Sequence, residues 1–393
     1  MSSSRRTLWL LSSFLLCLCL AYTAGFGAYR LRDAIRAGHS GLLDVFWEAW
    51  DHIERTFYGE IPSPRERTYG AIRGTLALLD DPYTVLVEPQ PRELEQDRMR
   101  GSYGGIGVTL RRDGEGRMVL APYADSPAER AGVQEGDVLL AVDRLPVTPE
   151  TTVDDVSARL HGEAGTPVTL TLARPPTPAF DLSIVREEIR VPSIAWRVLG
   201  RAPDVGYLHV ETFTERTGEE VYDALQELLQ EAEISGLVLD LRDNAGGLID
   251  PAVTTVSQFL RDGVVLTELR RDAQDRTFPV RDGGVAADVP MAVLVNGGTA
   301  SAAEIVAGAL QDRGRAPLVG EPTFGKGSVQ TIYDLSDGSS LHVTSAIWLT
   351  PNRRRINGMG LAPDIPVARD EGSQDADEQL DRAVDYLLEY LDE

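Results

Sequence analysis

Ser301 and Lys326 are the two side chains whose setting most invites chemistry. Ser301 stands where the apolar run Ala292-Val293-Leu294-Val295 passes through Asn296-Gly297-Gly298-Thr299-Ala300 into an alanine-rich segment. That order predicts a strand, a tight turn and a helix start. Such a turn lifts a side chain above the sheet and aims unpaired helix N–H groups at whatever the side chain attacks. Lys326 follows twenty-five residues later, in the turn Gly325-Lys326-Gly327. It is the only lysine among 393 residues; every other basic side chain is arginine. A guanidinium stays charged, whereas burial can drive a lysine amine neutral. One lysine kept in a Gly-Lys-Gly turn points to a need for an amine there.

Blander readings compete with this one. Ser301-Ala-Ala-Glu304 also fits a capping box, with Ser301 as cap and Glu304 reaching back to its N–H. A cap and a nucleophile are compatible, because the same helix start supplies N–H groups for an oxyanion. A solitary lysine also fits a drift of composition toward arginine. A Ser–His hydrolase would need a histidine in a turn near the serine. The five are His39, His52, His161, His209 and His342. His209 and His342 alternate within strand patterns, which reads as sheet surface.

The stretches GGTASAAEIVAGAL (297–310) and GEPTFGKGSVQT (320–331) resemble the two active-site motifs of the C-terminal processing peptidases, or tail-specific proteases. The resemblance implies Ser301 as nucleophile, Lys326 as general base and Gln330 as the residue that orients the lysine. It implies an oxyanion hole from the N–H of Ala302 and that of Gly246 or Gly247, in the turn Asp240-Leu-Arg-Asp-Asn-Ala-Gly-Gly247. Thr299 replaces the commoner serine, and Arg353 stands where glycine is usual, so the turn there is open to change. The segment YGAIRGTLALLDDPYT (69–84) is similar to the family's N-terminal region, where the DPYT turn is structural. It is assigned no chemistry. For Lys326 to work, burial among Phe324, Val329 and the sheet has to lower its basicity, and the uncharged Gln330 orients it without raising it again. No metal or cofactor is expected: the chain has no Cys/His cluster and no phosphate loop.

Residues 99–187 read as a separate module. Tyr103-Gly104-Gly105-Ile106-Gly107-Val108 is a glycine-rich loop entering a strand. Met118 to Tyr123 is a second strand, 126–132 a short helix, Val138 to Val142 a strand, Val153 to Leu160 a helix and Val168 to Leu172 a strand. The ordered set resembles a PDZ domain in the permuted form of bacterial proteases. That implies a carboxylate-binding loop at Gly104, Gly105, Ile106 and Gly107, beside a strand edge that pairs with a substrate tail. Apolar neighbours such as Ile106 and Val108 suggest apolar tails.

A net charge of −23 argues against nucleic-acid partners, which want a basic face. Leu8 to Tyr29 carries no charge, follows Arg5 and Arg6, and is long enough to span a bilayer. It reads as a retained anchor rather than a cleaved signal, with the remainder outside a bacterial cell membrane. Cys17 and Cys19 both fall within it, leaving no cysteine for an ectodomain disulfide. Together with the apolar run, the resemblance implies a multidomain α+β and α/β fold: an anchor (1–30, or a signal peptide), a helical region (31–98), a PDZ domain (99–187), a crotonase-like α/β peptidase core (188–369) and a C-terminal amphipathic helix (370–393). In that helix Leu380, Ala383, Val384, Leu387, Leu388 and Leu391 share a face directed at its own domain. The implied partners are protein or peptide substrates through their C-termini and the membrane, with a homo-oligomer left open. The competing function is a membrane-anchored PDZ adaptor with an inactive protease fold, which would have no use for Ser301, Lys326 and Gln330 together.

Overall fold

The computed structural model describes residues 43–200, 202–271, 274–369 and 377–391. The expected anchor at Leu8 to Tyr29 lies outside the described residues. Among those described, no helix is long and apolar enough to cross a membrane. The chain divides into two compact units, one ending at Thr75 and the other beginning at Leu76. In the first, a helix over 43–56 leaves Leu43, Val45 and Trp47 exposed. The helix Pro64–Leu76 is started by a reciprocal cap: the Ser63 N–H donates to Glu66 at 2.8 Å and the Glu66 N–H to Ser63 Oγ at 3.3 Å.

Within the second unit, the region expected to be the catalytic core is built on a six-stranded sheet. Ile194–Leu199 lies antiparallel to Ala202–Val210, which runs parallel to Gly236–Asp240, Met291–Val295, Leu318–Gly320 and Ile365–Pro366 in turn. The apolar runs in its strands are continuous because both faces are covered. Leu237, Leu239, Met291, Val293 and Val295 join one cluster, with residues of the helices Thr217–Gln226, Ile249–Ser257 and Ala302–Asp312. Val238, Ala292 and Leu294 point the other way, against Leu380, Ala383, Val384 and Leu387 of the C-terminal helix Glu378–Leu391. That helix packs on its own domain as its pattern predicts, but Leu388 and Leu391 are only partly covered, 40% and 38% exposed.

A second sheet carries the lysine motif. Ser328–Asp334 pairs antiparallel with the long strand Ser340–Leu349, which also pairs with Val85–Val87 and Val264–Arg270. The segment Val85–Val87 therefore belongs to the lysine sheet, which corrects the reading of 31–98 as helical throughout.

The module read at 99–187 follows its sequence pattern and adds a strand, Thr177–Val185, that the pattern did not mark. Five strands, Val108–Arg112, Met118–Pro122, Asp137–Val142, Pro167–Arg174 and Thr177–Val185, form one antiparallel path. Pro127–Ala131 and Val153–Leu160 are its two helices. The proline-rich stretch at 175–176 makes a hairpin between two of these strands, with Arg174 paired to Thr177.

Candidate active site

Ser301 sits at the end of Met291–Val295, on the turn that opens Ala302–Asp312, with φ 53° and ψ −116°. A non-glycine residue held there is strained, and the surroundings have to fix it. Thr299 donates its hydroxyl to the Leu241 carbonyl at 2.8 Å and accepts the Asn296 N–H at 3.0 Å. Asn296 takes the Asp243 N–H at 2.9 Å, and the Ala300 N–H reaches the Asn244 carbonyl at 2.9 Å. The serine turn is thereby sewn to the 240–247 turn at the end of the neighbouring parallel strand. Threonine in place of serine at 299 keeps the hydroxyl that does the fastening.

Lys326 is presented by a loop cradled from 356–360. The Gly358 N–H donates to the Gly325 carbonyl at 2.8 Å, the Gly327 N–H to Asn357 Oδ1 at 3.1 Å, and Trp348 Nε1 to the Lys326 carbonyl at 3.2 Å. The amine is half-buried, and its Nζ lies 5.1 Å from the centre of the Tyr83 ring. Burial lowers its basicity below the ordinary lysine value, with the Glu95 carboxylate pulling the other way. The expected apolar wall is only partly there: Phe324 is 56% exposed, and the covering ring is that of Tyr83.

Glu304 joins the two motifs. Its carboxylate is fully buried. It accepts the Ser301 N–H at 2.9 Å, the Lys326 N–H at 2.8 Å and the Gly325 N–H at 2.8 Å, together with the Thr323 hydroxyl. One oxygen, Oε2, receives both the serine and the lysine N–H. The sequence pattern assigned Glu304 a capping role; the structure adds to that role the strap that sets the lysine loop against the serine turn. A buried Glu three residues after the serine is the signal that could have shown it, since a buried carboxylate needs several donors.

The two candidate oxyanion glycines differ. A Cβ on Gly246 would lie 2.8 Å from that of Ser301, so only glycine lets the turns approach. Its N–H, however, donates to Asn244 Oδ1 at 2.8 Å and is not available to an oxyanion. The Gly247 N–H meets no acceptor among the described residues, and the N–H of Ala302, first in its helix, has no partner within the helix. Gln330 donates its side-chain N–H to the Tyr83 carbonyl, leaving the amide oxygen as the end able to accept. His342 corrects the surface reading. It is buried, 3.1 Å from Ser340 Oγ and 3.3 Å from Glu95. His209 is half-buried in its strand, as a sheet position would be.

Of the four predicted carboxylate-binding residues, Gly104 and Gly105 lie in the strand Ser102–Gly105, paired with Glu187–Arg190. Ile106 and Gly107 instead line a groove of about 290 Å³, with Val108 and Leu110 on one wall and Ser157 and Leu160 on the other. Gly107 takes φ +71°, which turns the chain from the paired strand into that wall. At 353, where glycine was expected, Arg353 adopts φ 59°, so the turn keeps the left-handed backbone with arginine in it.

A serine on a strained turn at a helix start, tied through Glu304 to the loop of a lysine whose basicity burial lowers, is the arrangement of an acyl-transferring serine hydrolase. The comparisons agree. A model of peptidase family S41 matches residues 204–367, and one of the PDZ domain matches 118–174. The carboxy-terminal-processing protease of Bartonella bacilliformis is 38% identical over 330 residues, which takes in 83% of this chain and 75% of that protein. The carboxyl-terminal-processing protease of Synechocystis is 37% identical over 333 residues, covering 82% and 77%. A solved photosystem II D1 C-terminal processing protease is 33% identical, with a TM-score of 0.47, and the match covers 82% of this chain and 92% of that one. The chain belongs to peptidase family S41, among the carboxy-terminal processing serine proteases that carry a PDZ domain.

Proposed function

We propose that this protein is an endopeptidase in which Ser301 attacks the scissile carbonyl carbon while neutral Lys326 takes the hydroxyl proton. The oxyanion that forms is met by the N–H of Ala302, at the positive end of its helix, and by that of Gly247. The lysine ammonium then gives its proton to the leaving amine, and water, deprotonated by the same lysine, frees the acyl-enzyme. Gln330 accepts from the amine through its oxygen. The observation that carries this reading is the Glu304 strap, which fixes the chain's one lysine, half-buried, against the strained serine turn.

The PDZ groove selects substrates by their tails, with the strand Val108–Arg112 as the edge for β-augmentation and the Ile106–Gly107 turn as the seat of the terminal carboxylate. The run Leu8–Tyr29 anchors the protein once in a bacterial cell membrane, catalytic unit outside; its uncharged length supports this. The test of the catalytic reading compares an unstructured substrate with a free or amidated C-terminus. Ser301→Ala and Lys326→Arg should each lower cleavage by at least ~10²-fold with unchanged circular dichroism, since an arginine cannot serve as base. The amidated substrate should show a raised KM or a lowered kcat. Near-normal turnover by Lys326→Arg would end the dyad reading, and equal cleavage of acid and amide would give the PDZ module another task.

A further inference from the structure

The turn Asp81-Pro82-Tyr83-Thr84, which the family resemblance marks as structural, lies at the lysine. Asp81 organises it, accepting the Tyr83 N–H at 3.1 Å and the Thr84 hydroxyl at 2.6 Å. Thr84 is buried, and its oxygen accepts the Thr344 N–H at 3.1 Å. Val85–Val87 then continues into the lysine sheet, with Val85 opposite His342. These contacts leave the Tyr83 backbone little freedom. Its ring lies over Lys326 Nζ at 5.1 Å, and its carbonyl receives the Gln330 side chain.

Proton transfer from Ser301 creates a cation in this half-buried place. A carboxylate in contact would stabilise that cation strongly, but would keep the lysine charged before the reaction and useless as a base. An aromatic face attracts a cation more weakly than an ion pair does, and leaves the neutral amine accessible. We propose that Tyr83 is a positioning residue of the general base: its ring face steadies the Lys326 ammonium as it forms, and its carbonyl holds the glutamine that orients the amine. This rests on the reading of Lys326 as base. Other charged groups face the same space. Glu95, from the helix Pro89–Arg100, acts on both Lys326 and His342; Arg92 and Asp334 act on His342, as does Lys326 itself.

The solitary lysine makes a direct test available, because 13C-labelled lysine incorporated into the full chain gives a single lysine signal to titrate. Wild type, Tyr83→Phe, Tyr83→Leu and Lys326→Ala are compared, by that titration and by the pH profile of kcat/KM. Leucine keeps an apolar cover but has no π face, so the charged form loses support and the lysine's pKa falls. The expected result for Tyr83→Leu is a downward move of the lysine titration by about half a unit to one and a half units. The acid limb of kcat/KM moves the same way, and kcat falls about two- to tenfold with KM little changed, because the base is weaker. Tyr83→Phe keeps the face and should titrate and turn over like wild type. Following the lysine itself separates its titration from those of Glu95 and His342. If Tyr83→Leu leaves the lysine titration where it was, or if both variants lose activity alike without moving it, Tyr83 is only structural and the proposal fails. Tyr83→Met supplies the same readout if the leucine variant does not fold. Full activity of Lys326→Ala would instead sink the dyad reading beneath the proposal.

Discussion

Glu304 shows how much a single residue is asked to do. Three residues after Ser301 it completes a helix start, and the same buried carboxylate collects two N–H groups from the lysine loop and the Thr323 hydroxyl. Each partner is a donor, so the site tolerates acceptors only. Glu304→Gln keeps the size but turns an NH2 toward at least one of those donors, leaving buried polar groups in conflict. We expect thermal unfolding to show a loss of about 1–3 kcal/mol. A roughly 100-fold fall in kcat should accompany it, from displacement of the lysine loop relative to the serine. A variant with wild-type kcat would mean that the strap does not set the dyad. Gln330 and Gly246 make the complementary point. Their residue types match the family pattern, yet the hydrogen bonds each makes depend on Tyr83 and Asn244, which no motif spacing reveals.

At the scale of elements, the C-terminal helix separates what a periodic pattern can and cannot say. Six apolar residues mark one face, but the sheet it meets covers only the part that faces Val238, Ala292 and Leu294. Leu387 is fully buried there, whereas Leu391 is 38% exposed. Leu387→Ala should therefore cost about 2–5 kcal/mol by denaturant unfolding, a cavity penalty. Leu391→Ala should cost less than about 1 kcal/mol, because it uncovers little that was dry. Equal losses would mean the helix seats differently. Its entry is fixed by charge as well. Arg242, from the 240–247 turn, bridges the buried Asp240 at 2.6 Å and Asp377, just before the helix, at 2.8 Å.

At the scale of the whole molecule, the proposed arrangement joins an anchor, a tail-reading groove and a peptidase core. The anchor rests on Leu8 to Tyr29, a run without a charged residue. The mature protein is expected to keep its first 30 residues and to sediment with membranes after a high-salt wash. A mature N-terminus at or beyond Gly25 in the soluble fraction would replace the anchor with a cleaved signal. The acidity of the chain, net −23, fits a soluble surface and offers nothing to a polyanion.

The sequence by itself determined the strand–turn–helix that carries Ser301, the lone lysine in its glycine turn, four strands and two helices of the 99–187 module, and the buried character of the core strands. All of these are local: they follow from periodicity, turn chemistry and residue type over a few consecutive positions. Tertiary structure decided which groups meet. Tyr83 covers Lys326 and holds Gln330, Asn244 takes the Gly246 N–H, Glu304 reaches two motifs, and Glu95 comes to the buried His342. The physical reason is that a pattern reports which side of an element is apolar or which residue can donate. The partner that satisfies a buried polar group, or the ring that dries an amine, comes from a segment whose position only the folded sheets fix.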